Sequence, residues 1–475
     1  MLSLWSLGGL AAICIGARFF VREPLLQAAL EITSAISLYT VLDLQQAKGR
    51  SRVPGDLIYP IGFGLALIGV MLFVYAWHPL VLFAGWEVVS IAGWSLIAFA
   101  KGISRHSLEA AFIAFVINRI GDAFWLAGFF SEGKFPEGLW IGILVKAGIF
   151  PFTFWLIQAM FAPAPVSALL HSALIVGMAA YMPLKYPTLT HRLPAWSMEV
   201  IWGAALGAAL GAVLSRSPKA TLAWTTGAHL AMVIFLSLEP PRALSYLLHH
   251  SYLKAALFLL LGSAQKEGGF TSYSTILWIS LATFLTASGS YDKRLLVIEA
   301  LTAMALGRAW RRLGYQQKGS FLSPASVFPF ILGVRAAFLS GASLRLSWEA
   351  LVPLLSLGAG MLYHHPFKLR LDVWLLKGNE LLLSLWLQIS RLSIKVEGLL
   401  ELFYKKLAET AVRGGNIFAE LESYVARRGW PFVARQFRRG ISFLAGEGMH
   451  TSYAQALSWG LLVSLLVSML WRLLF

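Results

Sequence analysis

Two ionisable side chains lie within long apolar stretches of this sequence, close to prolines. Lys146 lies five residues before Pro151 in one stretch, and His171 lies in the next. A lysine in hydrocarbon costs about 2.5–3.5 kcal/mol even on a lenient scale, and a proline inside a helix removes a backbone hydrogen bond. A helix break is tolerated at membrane depth only where protein or water satisfies the freed groups. An ionisable residue at a helix break inside the membrane is costly, and such residues usually belong to ion or proton pathways. The sequence therefore predicts such a pathway here.

Three more ionisable residues fall in the apolar stretches before Lys146. Arg119 and Asp122 are three residues apart, so that on a helix they can pair on one face. Glu87 needs a cationic partner, and we expect that partner to be Lys146, in the middle of the bilayer. Any of these groups could instead be a structural clamp between helices, and for Arg119 with Asp122 both interpretations stay open.

A second group of ionisable residues lies further along the chain. His250 and Lys254 are four residues apart and share a helix face. Burial lowers the pKa of an amine and a nearby carboxylate raises it again, so a lysine can load or release a proton as its partner moves. Histidine titrates near neutrality and can bridge such sites. Together these residues predict a hydrated proton relay. Its other candidate members are Lys219, His229, His249 and Lys293.

The composition is that of an all-α polytopic membrane protein. Of 475 residues, 58% are hydrophobic and only 13% are charged, whereas soluble domains carry about 25% charged residues. We predict about 15 transmembrane helices from apolar windows of roughly 20 residues. The first, Met1–Phe20, has no basic start and no clear cleavage site, so we expect a span and not a signal peptide.

Redox and nucleotide chemistry have no recognisable motif in this chain. The single cysteine, Cys14, excludes an internal disulfide and a self-contained iron–sulfur cluster. No dinucleotide fingerprint or Walker loop occurs. We therefore expect no cofactor in this chain, and no bound molecule except lipid. The net charge of +16 does not require nucleic acid, because basic residues between apolar spans follow the positive-inside rule.

The basic loops also predict the orientation in the membrane. The loops after the second, fourth, eighth and twelfth predicted spans are the most basic and should be cytoplasmic. Their basic residues are Lys48, Arg50, Arg52, Lys101, Arg105, Arg216, Arg311, Arg312 and Lys318. This places the N-terminus inside and, after an odd number of spans, the C-terminus outside.

Residues 370–448 have the pattern of a long amphipathic helix. Apolar residues recur at spacings of three and four between Leu385 and Leu407, with charged residues between them. The stretch is too charged to cross the bilayer, so we expect it on the cytoplasmic surface. It could be an interfacial lipid anchor or a lateral helix packed along neighbouring subunits. Residues 453–475 should form a final transmembrane anchor.

Several motifs resemble the antiporter-like subunits of respiratory complex I, a superfamily that includes NADH:quinone oxidoreductase chain L and the A subunit of Mrp sodium/proton antiporters. The motifs are GWEVVSIAGWSLI, AFVINRIGDAF, PAPVSALLHSALIVGMAAY and HSYLKAALFLLLGS. The resemblance implies two inverted five-helix repeats containing broken helices. The domains would be N-terminal helices 1–56, a first repeat 57–184, a second repeat 195–313, additional helices 324–363, the lateral helix 370–448 and the anchor 453–475.

The resemblance also implies roles for residues of the first half of the pathway. Glu87 and Lys146 match the family's ion pair in the first half-channel. His171 matches the histidine after the broken helix, and Lys219 matches a lysine that bridges the two halves.

The second half matches the family less completely. His250 and Lys254 match its central polar axis, and Lys293 matches the lysine of the second broken helix. Tyr246, however, occupies a position where the family usually has histidine, and Arg294 follows Lys293 where an acidic residue is usual. From the resemblance we also expect one N-terminal helix of the family to be missing here, which agrees with an N-terminus inside the cell.

The resulting functional prediction is a proton-translocating membrane subunit of a complex I-like, redox-driven pump in a prokaryotic inner membrane. Redox cofactors would belong to partner subunits, and other membrane subunits would bind the lateral helix. The alternative is the membrane subunit of a cation/proton antiporter, or of an energy-coupled inorganic-carbon uptake complex. A structural subunit without transport is a third possibility, and sodium could replace protons.

Overall fold

The computed structural model describes residues 2–46, 57–100, 104–131, 135–191, 193–194, 196–287, 293–315, 324–339 and 348–362. Almost all of these residues are helical. The lateral helix predicted at 370–448 and the anchor predicted at 453–475 lie outside the described residues.

The described part of the chain forms 17 α-helices. They are α1 (Leu2–Arg18), α2 (Pro24–Gln46), α3 (Ile58–Val74), α4 (Pro79–Phe99), α5 (Arg105–Phe130), α6 (Pro136–Lys146), α7 (Phe154–Gln158), α8 (Ala164–Leu170), α9 (Val176–Lys185), α10 (Thr188–His191), α11 (Trp196–Leu214), α12 (Pro218–Phe235), α13 (Pro240–Glu267), α14 (Ser272–Ala287), α15 (Lys293–Leu313), α16 (Pro324–Leu339) and α17 (Trp348–Leu362).

Six of these helices are long and apolar enough to cross a membrane: α2, α4, α5, α11, α12 and α13. Shorter apolar segments occur in α1, α3, α14, α16 and α17. A multi-pass, all-helical membrane protein is therefore confirmed. The number of about 15 spans and the two inverted repeats stay predictions.

Three of the helices that carry candidate residues begin at defined capping positions. The Ser104 hydroxyl accepts a bond from the backbone N–H of Ser107 at the start of α5. Helices α4 and α12 each have proline at their first position, preceded by His78 and Ser217, whose side chains accept backbone bonds. A helix accommodates proline at its first position because the N–H of that residue would have no partner within the helix. The prolines and the capping side chains therefore define where these helices start.

The predicted break after Lys146 is present. Helix α6 ends at Lys146, and α7 begins at Phe154. Between them Gly148 has φ of 64°, a left-handed conformation that glycine adopts without a Cβ penalty, and the Phe150–Pro151 peptide bond is cis. Lys146 therefore lies at the end of a half-helix and not in a continuous span.

A second interruption was not predicted. The apolar stretch at 165–184 was expected to be one span, but α8 ends at Leu170 and α9 begins at Val176. His171 is the first residue after α8, and the Gly177 amide bonds to the Ser172 carbonyl across the gap. His171 thus lies where the backbone leaves helical geometry. Lys293, which matches the lysine of the family's second broken helix, begins α15, and α15 is continuous; residues 288–292 before it lie outside the described residues.

Helices α12 and α13 form the centre of the described structure. In their apolar windows 89% and 83% of the residues are buried, against 33% in α5. Most polar side chains in the middle of α12 and α13 are therefore buried against other helices.

Candidate functional site

Lys146 contacts a group of side chains on α4 and α5. Its ammonium nitrogen lies 3.4 Å from Oδ1 of Asp122. It donates hydrogen bonds to the Trp86 carbonyl at 3.0 Å and to the Ser90 hydroxyl at 2.5 Å. The same nitrogen lies 4.3 Å from the centroid of the Trp86 ring. Lys146 is 1% exposed, so this charge is compensated entirely by protein groups.

The predicted pairing of Glu87 with Lys146 is wrong. Glu87 forms an ion pair with Arg119, and Arg119 also contacts Oδ2 of Asp122 at 2.7 Å. The pairing predicted for Arg119 and Asp122 on one face of α5 is therefore present. The Arg119 guanidinium contacts both carboxylates, and Asp122 is the one that also contacts Lys146. Two cations then face two anions, and the group is electrically neutral.

Aromatic rings line this ionic group. The Trp86 indole donates to Oδ1 of Asp122 at 2.5 Å, and its ring stacks on Trp125 at 5.6 Å between centroids. Phe83 and Phe129 also stack against Trp125. Apolar surroundings strengthen the ionic contacts, because fewer water molecules screen them.

His171 lies against α12 and α13. Its Nδ1 shares a hydrogen bond of 3.1 Å with the Thr226 hydroxyl, and its ring is 4.6 Å from that of Phe258. Among the described residues its other nitrogen, Nε2, has no hydrogen-bond partner. This leaves one ring nitrogen that can accept or release a proton.

Lys254 approaches the same turn of α12. Its ammonium group donates to the Thr225 hydroxyl and to the Leu222 carbonyl, the latter at 3.1 Å. The hydroxyls of Thr225 and Thr226 both donate to that carbonyl, at 3.0 and 2.9 Å. One backbone carbonyl of α12 therefore links the surroundings of Lys254 to those of His171.

A third group of buried polar side chains joins α12, α13 and α15 around Glu299. Tyr246 donates to Oε1 of Glu299 at 2.6 Å, and Nε2 of His229 lies 3.4 Å from Oε2. The His229 nitrogen is also 3.3 Å from the Thr302 hydroxyl, and the His250 ring lies 5.5 Å from the His229 ring. Glu299 is fully buried.

Sequence reasoning missed Glu299, although it predicted Tyr246, His229 and His250 as candidates. Helix α15 begins and ends with basic residues and has the pattern of an amphipathic surface helix. The available signal was that Glu299 is the single acidic residue of α15, the same signal that identified Glu87.

The remaining candidates lie around these groups. Lys219, in the first turn of α12, donates to the Ala162 carbonyl at 2.9 Å in the connection before α8. His249 is buried on α13 and 3% exposed. Pro151 lies in the break between α6 and α7. Lys293 begins α15, and its side chain is outside the description.

A small cavity is lined by residues next to the Lys146 group and by residues at the break that contains His171. Its volume is about 20 Å³, and its lining includes Ser90, Asn118, Leu170 and Ile175. That volume is enough for one water molecule. Ser90 accepts a bond from Lys146, and Leu170 directly precedes His171, so the lining includes a direct neighbour of each ionisable group. In the described part of the chain, no group of three or more His, Cys, Asp or Glu residues has a metal-binding arrangement.

Residues 137–286 match the family model described as NADH:quinone oxidoreductase/Mrp antiporter, TM. NADH-quinone oxidoreductase subunit L of Campylobacter jejuni is 33% identical over 261 residues, which are 49% of this chain and 43% of that protein. The A/B subunit of a probable K(+)/H(+) antiporter of Rhizobium meliloti is 29% identical over 239 residues, 43% of this chain and 24% of that protein. The matches span less than half the length of these relatives.

The fold is similar to that of a solved membrane complex. The structure of the Mrp complex from a Dietzia species contains a chain that superimposes with a TM-score of 0.57 at 15% identity, covering 99% of this chain and 60% of that one. At this identity the similarity shows a shared fold. Lys146, His171, His229 and Lys254 all lie within the residues that match the family model.

Proposed function

We propose that this chain, which carries a membrane domain of the NADH:quinone oxidoreductase/Mrp antiporter family, moves protons across a membrane as one subunit of a larger assembly. The observation that supports this most is a set of buried ionisable groups between α5 and α15, three of which, Lys146, His171 and Lys254, lie within the residues that match the family model. Asp122, Lys146, His171, Lys254 and Glu299 are each at most 3% exposed. Burying so many ionisable groups is costly, and in a membrane such groups are mostly functional.

The first step of the proposed pathway is a proton transfer from Lys146 towards His171. Asp122 stabilises the charged form of Lys146, and a movement of Asp122 towards Arg119 would remove that stabilisation. The proton then leaves the ammonium nitrogen through a water molecule in the cavity beside Ser90. The acceptor is Nε2 of His171.

The second step carries charge from His171 towards α15. Thr225 bonds to Lys254 and Thr226 bonds to His171, so both ionisable groups lie against one turn of α12. A charge on the His171 ring therefore affects the protonation of Lys254, and a charge on Lys254 affects that of His171. His250 and His229 lie between Lys254 and Glu299. Glu299 is the terminal carboxylate of the described pathway, held by the hydroxyl of Tyr246. Lys219 and Lys293 lie at helix starts, where protons could enter or leave.

The identity of the larger complex is inferred from the similar proteins. The similarity to a subunit L supports a redox-driven complex, in which the redox cofactors belong to partner subunits and other membrane subunits bind the predicted lateral helix. We infer a prokaryotic inner membrane, with the N-terminus and lateral helix cytoplasmic and the C-terminus outside. Cation/proton antiport is the second candidate, and the similarity to one chain of a K(+)/H(+) antiporter supports it. An inorganic-carbon uptake complex remains the further alternative.

The test uses the complex purified with its native partners and reconstituted in proteoliposomes. Lys146→Met keeps an unbranched side chain and removes the titratable group, so proton uptake should fall at least about tenfold, which corresponds to about 1.4 kcal/mol of barrier. Lys266→Met is the matched control, because Lys266 is more than half exposed and pairs with Asp43 away from the pathway. Its uptake should equal that of the unaltered complex.

Two measurements on these vesicles separate the candidate functions. Proton uptake driven by an added electron donor supports the redox-driven pump, and uptake driven by an imposed potassium or sodium gradient supports the antiporter. Normal uptake by an assembled Lys146→Met complex would contradict both.

A further inference from the structure

A second ionic group lies on the face of α13 opposite the proposed proton pathway, and its centre is Glu31 of α2. The Glu31 carboxylate accepts a hydrogen bond of 2.6 Å from the Tyr252 hydroxyl of α13. Arg335 of α16 donates to both carboxylate oxygens, at 2.8 and 3.3 Å. Arg18 of α1 forms an ion pair with the same carboxylate. We call these four residues the Glu31 cluster.

The Glu31 cluster has more positive than negative charge. Two guanidinium groups face one carboxylate, so one positive charge is uncompensated. Tyr252 donates to the carboxylate and adds no negative charge. Within the described ranges, the only ion pair of either arginine is with Glu31. An uncompensated charge beside hydrocarbon is costly, which favours a bound anion.

The arginines are the outer part of the cluster. Their side chains are 37% and 34% exposed, whereas that of Glu31 is 14% exposed. Large apolar side chains next to them in the sequence are exposed, namely Phe19 and Phe20 directly after α1, at 74% and 88%, and Ile331, one turn before Arg335 on α16, at 50%. The free sides of the guanidinium groups therefore open onto an apolar surface.

The cluster lies close to the ends of three helices. Arg18 is the last residue of α1, and Arg335 lies four residues before the end of α16. Glu31 lies seven residues after the start of α2, about 10 Å along the helix axis. Arginine can extend its charged head over several ångströms towards the lipid headgroups. The charge is therefore within reach of headgroup phosphates.

We propose that the Glu31 cluster binds the phosphate of an anionic phospholipid. A guanidinium group presents paired N–H donors that match phosphate oxygens. The exposed apolar side chains beside Arg18 and Arg335 would contact the acyl chains of the same lipid. Glu31 orients the two guanidinium groups, and Tyr252 connects this lipid site to α13, the helix that carries His250 and Lys254.

The test measures which lipid stays bound to the full-length protein. The protein is extracted from vesicles of equal amounts of dioleoylphosphatidylglycerol and dioleoylphosphatidylcholine, and native mass spectrometry gives the ratio of the two bound lipids. Arg18→Gln and Arg335→Gln should each lower the ratio of phosphatidylglycerol to phosphatidylcholine about fivefold. Glu31→Gln should raise it, because the cluster then carries two uncompensated positive charges.

The opposite directions of these changes separate lipid binding from a structural role. Loss of folding would lower retention in all three variants, and that result would overturn the proposal. Arg294→Gln is the control, because Arg294 is similarly exposed but pairs with Glu199 as a neutral pair, and its ratio should not change.

Three further results would also contradict a lipid site. One is an unchanged ratio in Arg18→Gln and Arg335→Gln. Another is displacement of the lipid by inorganic phosphate, which would indicate a site for a free anion. The third is loss of a co-purifying protein chain in the arginine variants while the lipid ratio stays the same, which would indicate a protein interface.

Discussion

Lys146 and Asp122 face each other between α6 and α5, with 3.4 Å between the ammonium nitrogen and Oδ1. The other carboxylate oxygen of Asp122 contacts Arg119 at 2.7 Å. One aspartate is thus shared by a lysine at a helix break and an arginine in a continuous helix. A small rotation of its carboxylate changes the balance between the two cations, and this is the movement on which the proposed first step depends.

Replacing Asp122 should impair transport more than replacing Glu87. Asp122→Asn removes the carboxylate that contacts Lys146 directly, and we expect proton uptake to fall about tenfold or more. Glu87→Gln leaves that contact in place and should reduce uptake less. Both variants are compared in proteoliposomes after equal assembly has been verified. Equal losses would show that the four groups act as one unit.

The Thr226 hydroxyl should matter because it orients His171. Thr226→Val keeps the shape of the side chain and removes its bond to Nδ1, so the ring can turn and proton uptake should decrease. Thr221→Val is the control on the same helix, since the Thr221 hydroxyl bonds to the Ser217 carbonyl. A loss of uptake in both variants, or in neither, would argue against an orienting role for Thr226.

Tyr246 should stabilise the carboxylate of Glu299. Tyr246→Phe removes a hydrogen bond to an ionisable group, a loss of about 1.5–3 kcal/mol, and should lower both thermal stability and proton uptake. Tyr59→Phe is the comparison, because it removes a buried hydroxyl bonded to the Ala100 carbonyl. That variant should lose stability without a comparable loss of uptake per assembled complex.

Gly148 should be required for the break after Lys146. A Cβ on this residue would overlap Cδ1 of Leu156, and its φ is positive. Gly148→Ala should therefore lower the melting temperature by several degrees, because the left-handed conformation alone costs about 1–2 kcal/mol. Gly203→Ala is the control, since a Cβ there meets no atom within 4 Å. It should leave the melting temperature the same or slightly higher.

The predicted orientation can be tested with introduced cysteines. Cys14 is buried, so the background labelling of the native chain should be low. An N-terminus inside places the loop before α4 outside and the start of α5 inside. Trp77→Cys should then react with an impermeant thiol reagent from the outside, and His106→Cys only after the membrane is opened. The reverse pattern would invert the topology.

The sequence predicted individual residues better than it predicted pairs. Lys146 and Pro151 marked a helix break because each is costly in a span, and that cost depends on local sequence alone. The partner of Lys146 depends instead on how α4, α5 and α6 are rotated against each other. Asp122 lies one turn along α5 from Arg119. No local pattern in the sequence shows whether Asp122 or Glu87 lies nearer to Lys146.

Two features of the site depend on tertiary packing. The interruption at His171 has no proline within it, so it was predicted as continuous helix. Glu299 lies in a helix with basic ends, and its burial depends on the packing of α12 against α15 and on the Tyr246 side chain of α13. The predicted candidates His229 and Tyr246 contact Glu299, so the pathway could be extended only once the helices were placed.

The Trp86 indole contacts both of the charges that the proposed mechanism rearranges. Its N–H is bonded to Asp122, and its ring faces the ammonium group of Lys146. The electronic transitions of an indole shift with the electric field across the ring. Trp86 is therefore a built-in optical probe, and its near-ultraviolet difference spectrum should follow the charge state of Lys146 during turnover without any added label.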